Sequence, residues 1–154
     1  MSEATRIANL LKRAFDGEAW HGPGVLELLE DVNARTAAKR PGEDIHSIWE
    51  IVLHIAVWDH AAVRRLAGEV VQPPPAEDWP PITDFSEENW RTTKDHLIRT
   101  HKKLVDTVQA LPDSRLDDQV PGKKPKHYNF YYMLHGIAQH ELYHAGQIAV
   151  LKKM

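Results

Sequence analysis

The sequence predicts an all-α protein: a four-helix bundle with a long proline-rich crossover between its second and third helices. Three observations carry this expectation. Apolar residues recur at i, i+3, i+4 and i+7 in four separate stretches, the period of helices with one buried face. No alternating apolar–polar run lasts more than a few residues, so a strand signal is missing. Residues 68–85, GEVVQPPPAEDWPPITDF, hold five prolines and separate the second stretch from the third.

The first stretch, Glu3 to Phe15, places Ile7, Leu10, Leu11, Ala14 and Phe15 on one stripe. Asp16-Gly17 and His21-Gly22-Pro23-Gly24 interrupt it, and the pattern resumes at Val25, Leu26, Leu28, Leu29 and Val32. This reads as a broken first helix reaching Ala38, stopped by Arg40-Pro41-Gly42. A second helix opens at Asp44 or Ile45 and runs to Ala67, with Ile48, Ile51, Val52, Ile55, Trp58, Ala62 and Leu66 inward and Gly68 after it. Ser86 is the expected N-cap of the third helix, with Glu87 and Glu88 well placed in its first turn. Trp90, Leu97, Leu104, Val105, Val108 and Leu111 form its inner face, and Pro112 ends it. The fourth helix is expected from Tyr128 almost to Met154. The crossover, extended at about 3.1 Å per residue, covers about 50 Å. The second helix is only about 35 Å long at 1.5 Å per residue, so the crossover can traverse the bundle and let helices two and three run parallel.

At 154 residues the chain is expected to form one domain, 1–154, with room for a real core. A formal charge of −3 argues against a nucleic-acid binder, and the basic KKPK at Lys123 to Lys126 reads as a solvated loop. No stretch is apolar enough for a membrane span, and the N-terminus lacks a signal-peptide pattern, so a cytoplasmic protein is expected. With no cysteine, disulfides, thiolate metal sites and a Cys nucleophile are excluded, leaving His, Asp and Glu as the possible ligands.

Ten histidines are the most telling feature of the composition. His21, His46, His96 and His127 fall in loops or on polar faces. His140 and His144 differ by about 40° around a helix, on an otherwise apolar face with Met133, Ile137 and Gln147. His135 lies about 140° from His140 and belongs to another side. Two inward imidazoles are costly in an apolar core unless paired, and a transition metal resolves this with neutral imidazole ligands. A third ligand must come from elsewhere, and His54, mid-helix among Ile51, Leu53, Ile55 and Trp58, is the natural candidate. His60, about 120° from His54, does not join it. His101, on the third helix's apolar stripe, is read as a core or pocket histidine and a rival ligand.

The string His140-Glu141-Leu142-Tyr143-His144 also satisfies HExxH, in which Glu is the general base of zinc proteases. The metzincin extension requires His at position 150, where Val150 stands, and no acid downstream suits a gluzincin. Those folds also carry a sheet, so a protease is not expected. Glu141 remains a candidate base or supporting residue near the metal.

Two segments then acquire a further meaning. IHSIWEIVLHIAVWDH at 45–60 and HGIAQHELYHAGQIAVLKK at 135–153 resemble the DinB-like (YfiT-like) metal-binding four-helix bundles. GPGVLELLEDV and the RPG before helix two fit as well. The resemblance implies a bundle with a long connection between helices two and three, often dimeric. It also implies a metal triad of one helix-two and two helix-four histidines, which falls here on His54, His140 and His144. Characterised members of such families include metal-dependent thiol S-transferases using bacillithiol or mycothiol, a thiol-dependent maleylpyruvate isomerase, and proteins described as hydrolases.

These readings lead to one divalent transition metal, zinc or nickel, in a His₃ site with an open position, as in catalytic zinc sites. The expected function is a metal-dependent enzyme of the thiol S-transferase or hydrolase type acting on a small molecule, with a low-molecular-weight thiol as cosubstrate. Gln147, one turn beyond His144, would orient the bound group, and Glu50 would fix an imidazole tautomer. Trp20, Trp49, Trp58 and Tyr143 are pocket candidates, at least two of them expected in the core. The alternative is a non-catalytic metal-binding or stress-response protein whose ion staples helices two and four. That alternative calls for a fourth protein ligand, such as His101 or Glu50, and no cleft beside the site.

Overall fold

The computed structural model describes residues 1–154 and is entirely helical. Four long helices make the bundle: α1 (Glu3–Asp16), α4 (Ile48–Leu66), α6 (Glu87–Gln109) and α7 (Phe130–Leu151). Short helices α2 (Val25–Leu29), α3 (Ala34–Ala38) and α5 (Pro75–Asp78) and a single 3-10 turn (Asp113–Arg115) fill the connections. Helices α1 and α4 each pack against both α6 and α7, so α1 lies diagonally across the core from α4.

The sequence explains where the elements begin. Ser2, Ser47, Ser86 and Asn129 each cap a bundle helix by accepting a backbone N–H of the first turn, which would otherwise lack a partner. The second bundle helix starts at Ile48 rather than at Asp44 or Ile45, because Ser47 and Glu50 form a capping box: Glu50 N–H donates to Ser47 Oγ (3.2 Å) and Ser47 N–H to Glu50 Oε2 (2.7 Å). The last helix starts at Phe130 and not at Tyr128. Residues 118–130 close a small loop first, with Val120 N–H donating to Tyr128 O and Phe130 N–H to Asp118 O, both at 3.0 Å. The expected broken first helix is three separate helices. Gly17 at φ 123° and Gly22 at φ 125° make the break, in a backbone region that side-chain-bearing residues avoid. The α1 N-terminus also receives Asp113, whose carboxylate accepts from Glu3 and Ala4 N–H at 2.9 Å each.

The crossover is not one extended strand. It carries α5, a single turn begun by Pro75 at the first helical position, where a missing N–H costs nothing. Arg65 fastens its beginning to α4, donating from Nε and Nη2 to Val71 O at 3.1 and 2.8 Å.

The core divides into two apolar layers along the bundle axis. One gathers Ile7, Leu11, Leu66, Leu104, Val108, Phe130 and Leu134. The other gathers Phe15, Trp49, Val52, Ile55, Trp90, Leu97 and Ile148. Polar residues occupy the level between them: Asp59 lies between Ala56 and Ala62 on α4, His101 between Leu97 and Leu104 on α6, and Glu141 between Ala138 and Ala145 on α7. Burying charge at that level is costly unless it is paired, and this is where the site lies.

Candidate metal centre

Helices α4 and α7 bring His54, His140 and His144 together. Their spacing on α7 follows from i, i+4 geometry, and the packing of α4 on α7 supplies the third ring. The Nε2 atoms of His54 and His144 each stand 3.0 Å from Nε2 of His140. One ligand atom from each residue lies within 4.8 Å of the other two.

Each outer nitrogen is treated differently. His54 Nδ1 lies 2.9 Å from Asp78 Oδ1 and 3.0 Å from the Asp78 carbonyl oxygen. That contact makes Nδ1 the protonated nitrogen and turns the Nε2 lone pair inward. Trp58 Nε1 donates to the same Asp78 Oδ1 at 2.7 Å. The Trp79 ring stacks on His54 at 3.9 Å, and His46 stacks on Trp79 at 3.6 Å. Gln147 Oε1 stands 2.6 Å from His144 Nδ1 and orients that ring in the same way. His140 Nδ1 is buried without a partner. Burial pushes His54 and His144 below the ordinary histidine range. Burial, together with the two neighbouring rings, pushes His140 down to about 3. Three neutral imidazoles therefore face one another, the protonation state that metal coordination requires.

A second cluster lies deeper. Asp59 and Glu141 are 0% exposed and flank His101. His101 Nδ1–H donates to Asp59 Oδ2 at 3.1 Å. Glu141 Oε1 is nearer, at 2.8 Å, but neither Glu141 oxygen meets hydrogen-bond geometry. The His101 ring stacks on Phe15 at 3.9 Å. Burial alone would lower the His101 pKa, but the two carboxylates raise it to about 10. Burial and the Asp59 charge raise Glu141 to about 8.

Several sequence expectations therefore change place. Glu141, expected beside the metal as a base, turns away from the triad toward His101, because residues one apart on a helix diverge by about 100°. His101, read chiefly as a core or pocket histidine, is buried in this second cluster, and the rival-ligand reading does not place it at the triad. Glu50, expected to fix an imidazole tautomer, instead caps α4 and pairs with Arg40. Burial opposes its ionisation, yet the Arg40 guanidinium and Ser47 hold its carboxyl at about 2. The residue that orients His54 is Asp78, which sequence reasoning missed together with Trp79. The only signal was a polar–aromatic Asp-Trp pair inside a proline-rich segment. Of the four aromatic pocket candidates, Trp49 is core, donating Nε1–H to Thr93 Oγ1 at 3.1 Å, and Trp20 is fully exposed. Trp58 and Tyr143 line cavities at the triad. His46, expected in a loop or on a polar face, and His135, expected on another side of the helix from His140, line those cavities too.

Two cavities reach the three histidines. One, of about 690 Å³, is lined by His144, Gln147, Trp79, Tyr143, Ile45 and Val150, among others. The other, of about 520 Å³, is lined by His54 and His140 with Trp58, Arg65, Asp78 and a run of tyrosines. Both fall in the range of small-molecule sites.

A four-helix bundle with buried, neutral, converging histidines defines a class: helical proteins fit to hold a metal ion. The particular family follows from comparison. The family model of the DinB superfamily matches residues 20–148, and the chain belongs to that superfamily of metal-binding proteins. Neither the curated proteins nor the solved structures provide a match to this chain. No helix is long and apolar enough to cross a membrane.

Proposed function

We propose that His54, His140 and His144 hold one divalent transition-metal ion, zinc or nickel, and that the protein is a metal-dependent enzyme of the thiol S-transferase or hydrolase type. The observation that carries this reading is the convergence of three neutral Nε2 atoms whose mutual spacing, 3.0 Å for two of the pairs, approaches the edge of a ligand tetrahedron. That edge is about 3.3 Å for zinc–nitrogen distances of 2.0–2.1 Å. The donor set suits zinc and nickel alike. A bound ion supplies Lewis acidity, which makes a thiol or a water nucleophilic near neutral pH.

The chain's own residues do the rest. Asp78 and Gln147 fix two imidazoles so that their Nε2 atoms point inward. His101, Glu141 and Glu50 are engaged elsewhere, which leaves the triad without a fourth protein ligand and favours an enzyme over a closed structural site. The cavity at His144 has an apolar wall of Ile45, Ile51, Val150 and Leu151 beside Trp79, suited to one reactant. The cavity at His54 and His140 suits a second, as a two-substrate transfer requires.

The test is to strip the protein, reload it with zinc or nickel, and measure metal content and thiol transfer to an electrophile such as 1-chloro-2,4-dinitrobenzene. One equivalent of metal, metal-dependent turnover, and loss of both in His54→Ala are expected. Full metal occupancy in His54→Ala would refute the ligand set. Full occupancy of the unaltered protein with no transfer or hydrolysis would return the site to a structural role.

A further inference from the structure

Arg65 is an unusual residue for its position. It is 1% exposed, yet it belongs to none of the protein's ion pairs. Its Nε and Nη2 donate to one backbone carbonyl, Val71 O, and its guanidinium carbon stands 5.4 Å from the Trp58 ring centroid. A guanidinium offers five N–H donors in a rigid fork. One carbonyl and one aromatic face leave the guanidinium without an anionic partner. Buried charges are ordinarily paired, so a missing partner in a cavity points to a ligand.

The place is telling. Arg65 lies on α4 eleven residues after His54, about 20° away around the helix, and helical side chains lean toward the N-terminus. It therefore shares His54's face and reaches back toward it over Trp58. Arg65, Trp58, His54 and His140 line the same cavity of about 520 Å³. Also lining it, His135 has a buried Nε2 with no hydrogen-bond partner. Asp78 is the one carboxylate facing this space, and it is committed to His54 Nδ1 and Trp58 Nε1. Tyr128, Tyr131 and Tyr132 form an aromatic wall.

We propose that this cavity binds a small carboxylic acid, its carboxylate on the Arg65 guanidinium and its apolar or aromatic body along Trp58 and the tyrosines, with its other end directed at the histidine triad. A carboxylate matches the guanidinium fork in two parallel hydrogen bonds. A phosphate dianion would meet Asp78 with twice the repelling charge, so the carboxylate is the better fit. The proposal deepens the reading of the triad as a reactive centre and rests on it only for the end of the ligand that reacts.

The test is binding rather than turnover. The zinc-loaded protein is titrated calorimetrically with benzoate, phenylacetate, 3-phenylpropionate and 4-phenylbutyrate, with their amides, and with phenyl phosphate. At least one acid is expected to bind about tenfold or more tightly than its amide, as one charge-assisted pair provides. Arg65→Gln and Arg65→Lys are then compared at unchanged zinc content. The Gln variant should lose the preference for acid over amide, and the Lys variant should keep part of it. Equal affinity for acid and amide in the unaltered protein, absence of binding by every acid, or tighter binding of phenyl phosphate would each overturn the proposal. The comparison of acid with amide stands even if Arg65→Gln does not fold. A zinc content well below one in the unaltered protein would instead count against the metal centre, while the acid-against-amide preference would still report on Arg65.

Discussion

Replacing Glu141 by Gln removes one titratable proton from the middle of the bundle while keeping the side chain's shape. The Glu141 carboxyl is raised from an ordinary 4.5 to about 8 by burial and by Asp59 beside it. In the window from 4.5 to 8 the folded protein therefore holds a proton that the unfolded chain releases. A state that binds more protons loses ground as pH rises, so this group makes the unaltered protein less stable from pH 4.5 upward, until its folded form also ionises near 8. Each pH unit inside the window is worth about 1.4 kcal/mol. The Gln variant has no such proton. Its stability relative to the unaltered protein should therefore rise by about 3 kcal/mol between pH 5 and pH 7. The assay is urea unfolding of both metal-free proteins at several pH values, followed by tryptophan fluorescence. Titration of the three triad histidines is common to both and cancels in the difference. The proton is placed on Glu141 rather than Asp59 because only Asp59 makes an aligned hydrogen bond with His101, the arrangement that favours an ionised carboxylate. A difference constant to within about 0.5 kcal/mol across that range would refute the placement. The same slope appearing in Asp59→Asn would move the proton to Asp59.

Other outcomes follow from the same geometry. Asp78→Asn removes the carboxylate on His54 Nδ1 and should weaken zinc binding about 10–100-fold, read by competition with a chromogenic chelator; unchanged affinity would show that the backbone carbonyl suffices. Zinc affinity should fall less steeply between pH 6.5 and 5.5 than for three ordinary imidazoles, because burial keeps His140 neutral down to about 3 and lowers His54 and His144 as well. Calorimetry in buffers of different ionisation enthalpy should accordingly show little proton release on binding at pH 6.5. His101→Ala leaves the buried Asp59 carboxylate without its cation and should cost about 3–5 kcal/mol in urea unfolding. Ser47→Ala opens the capping box of α4 and should cost about 1 kcal/mol, with zinc content unchanged.

Much of the bundle was legible because helix periodicity and caps are local. Ser86 and the stripe Trp90, Leu97, Leu104 and Val108 announce α6 without reference to any other element. The convergence of His140 with His144 is likewise written in a four-residue spacing. What the sequence withheld depends on the crossover. Asp78 and Trp79 reach His54 only because the chain folds back after Val71, and no period in GEVVQPPPAEDWPP encodes that return. Glu141 illustrates the opposite failure. Its place in HExxH suggests a role beside the ligands, but a helix turns about 100° per residue, and here that rotation carries the carboxylate into the core toward His101. His101 lay on an apolar stripe with no sequence cue to its two acidic partners, which come from α4 and α7.

The two polar clusters have different relations to the fold, and this bears on where function can vary. Asp59, His101 and Glu141 come from three bundle helices and are sealed between two apolar layers, so their geometry is set by the same packing that holds the bundle together. Replacing any one of them disturbs stability first. The triad draws all three imidazoles from α4 and α7, but the groups that surround His54 are Asp78 and Trp79 of the crossover, and His46 from the segment before α4 stacks on Trp79 in turn. These segments pack through fewer buried side chains than the helices do, and α5 has none. Local opening is least costly where buried contacts are few. The orientation of His54 and one side of the cavity at His144, formed by Asp44, Ile45, His46 and Trp79, therefore rest on connections that can change in sequence or position while the bundle stays intact. What the cavity at His144 admits would accordingly vary through Asp44, Ile45, His46 and Trp79, whereas the cavity at His54 and His140, walled chiefly by α4 and α7, would vary only with the helices themselves.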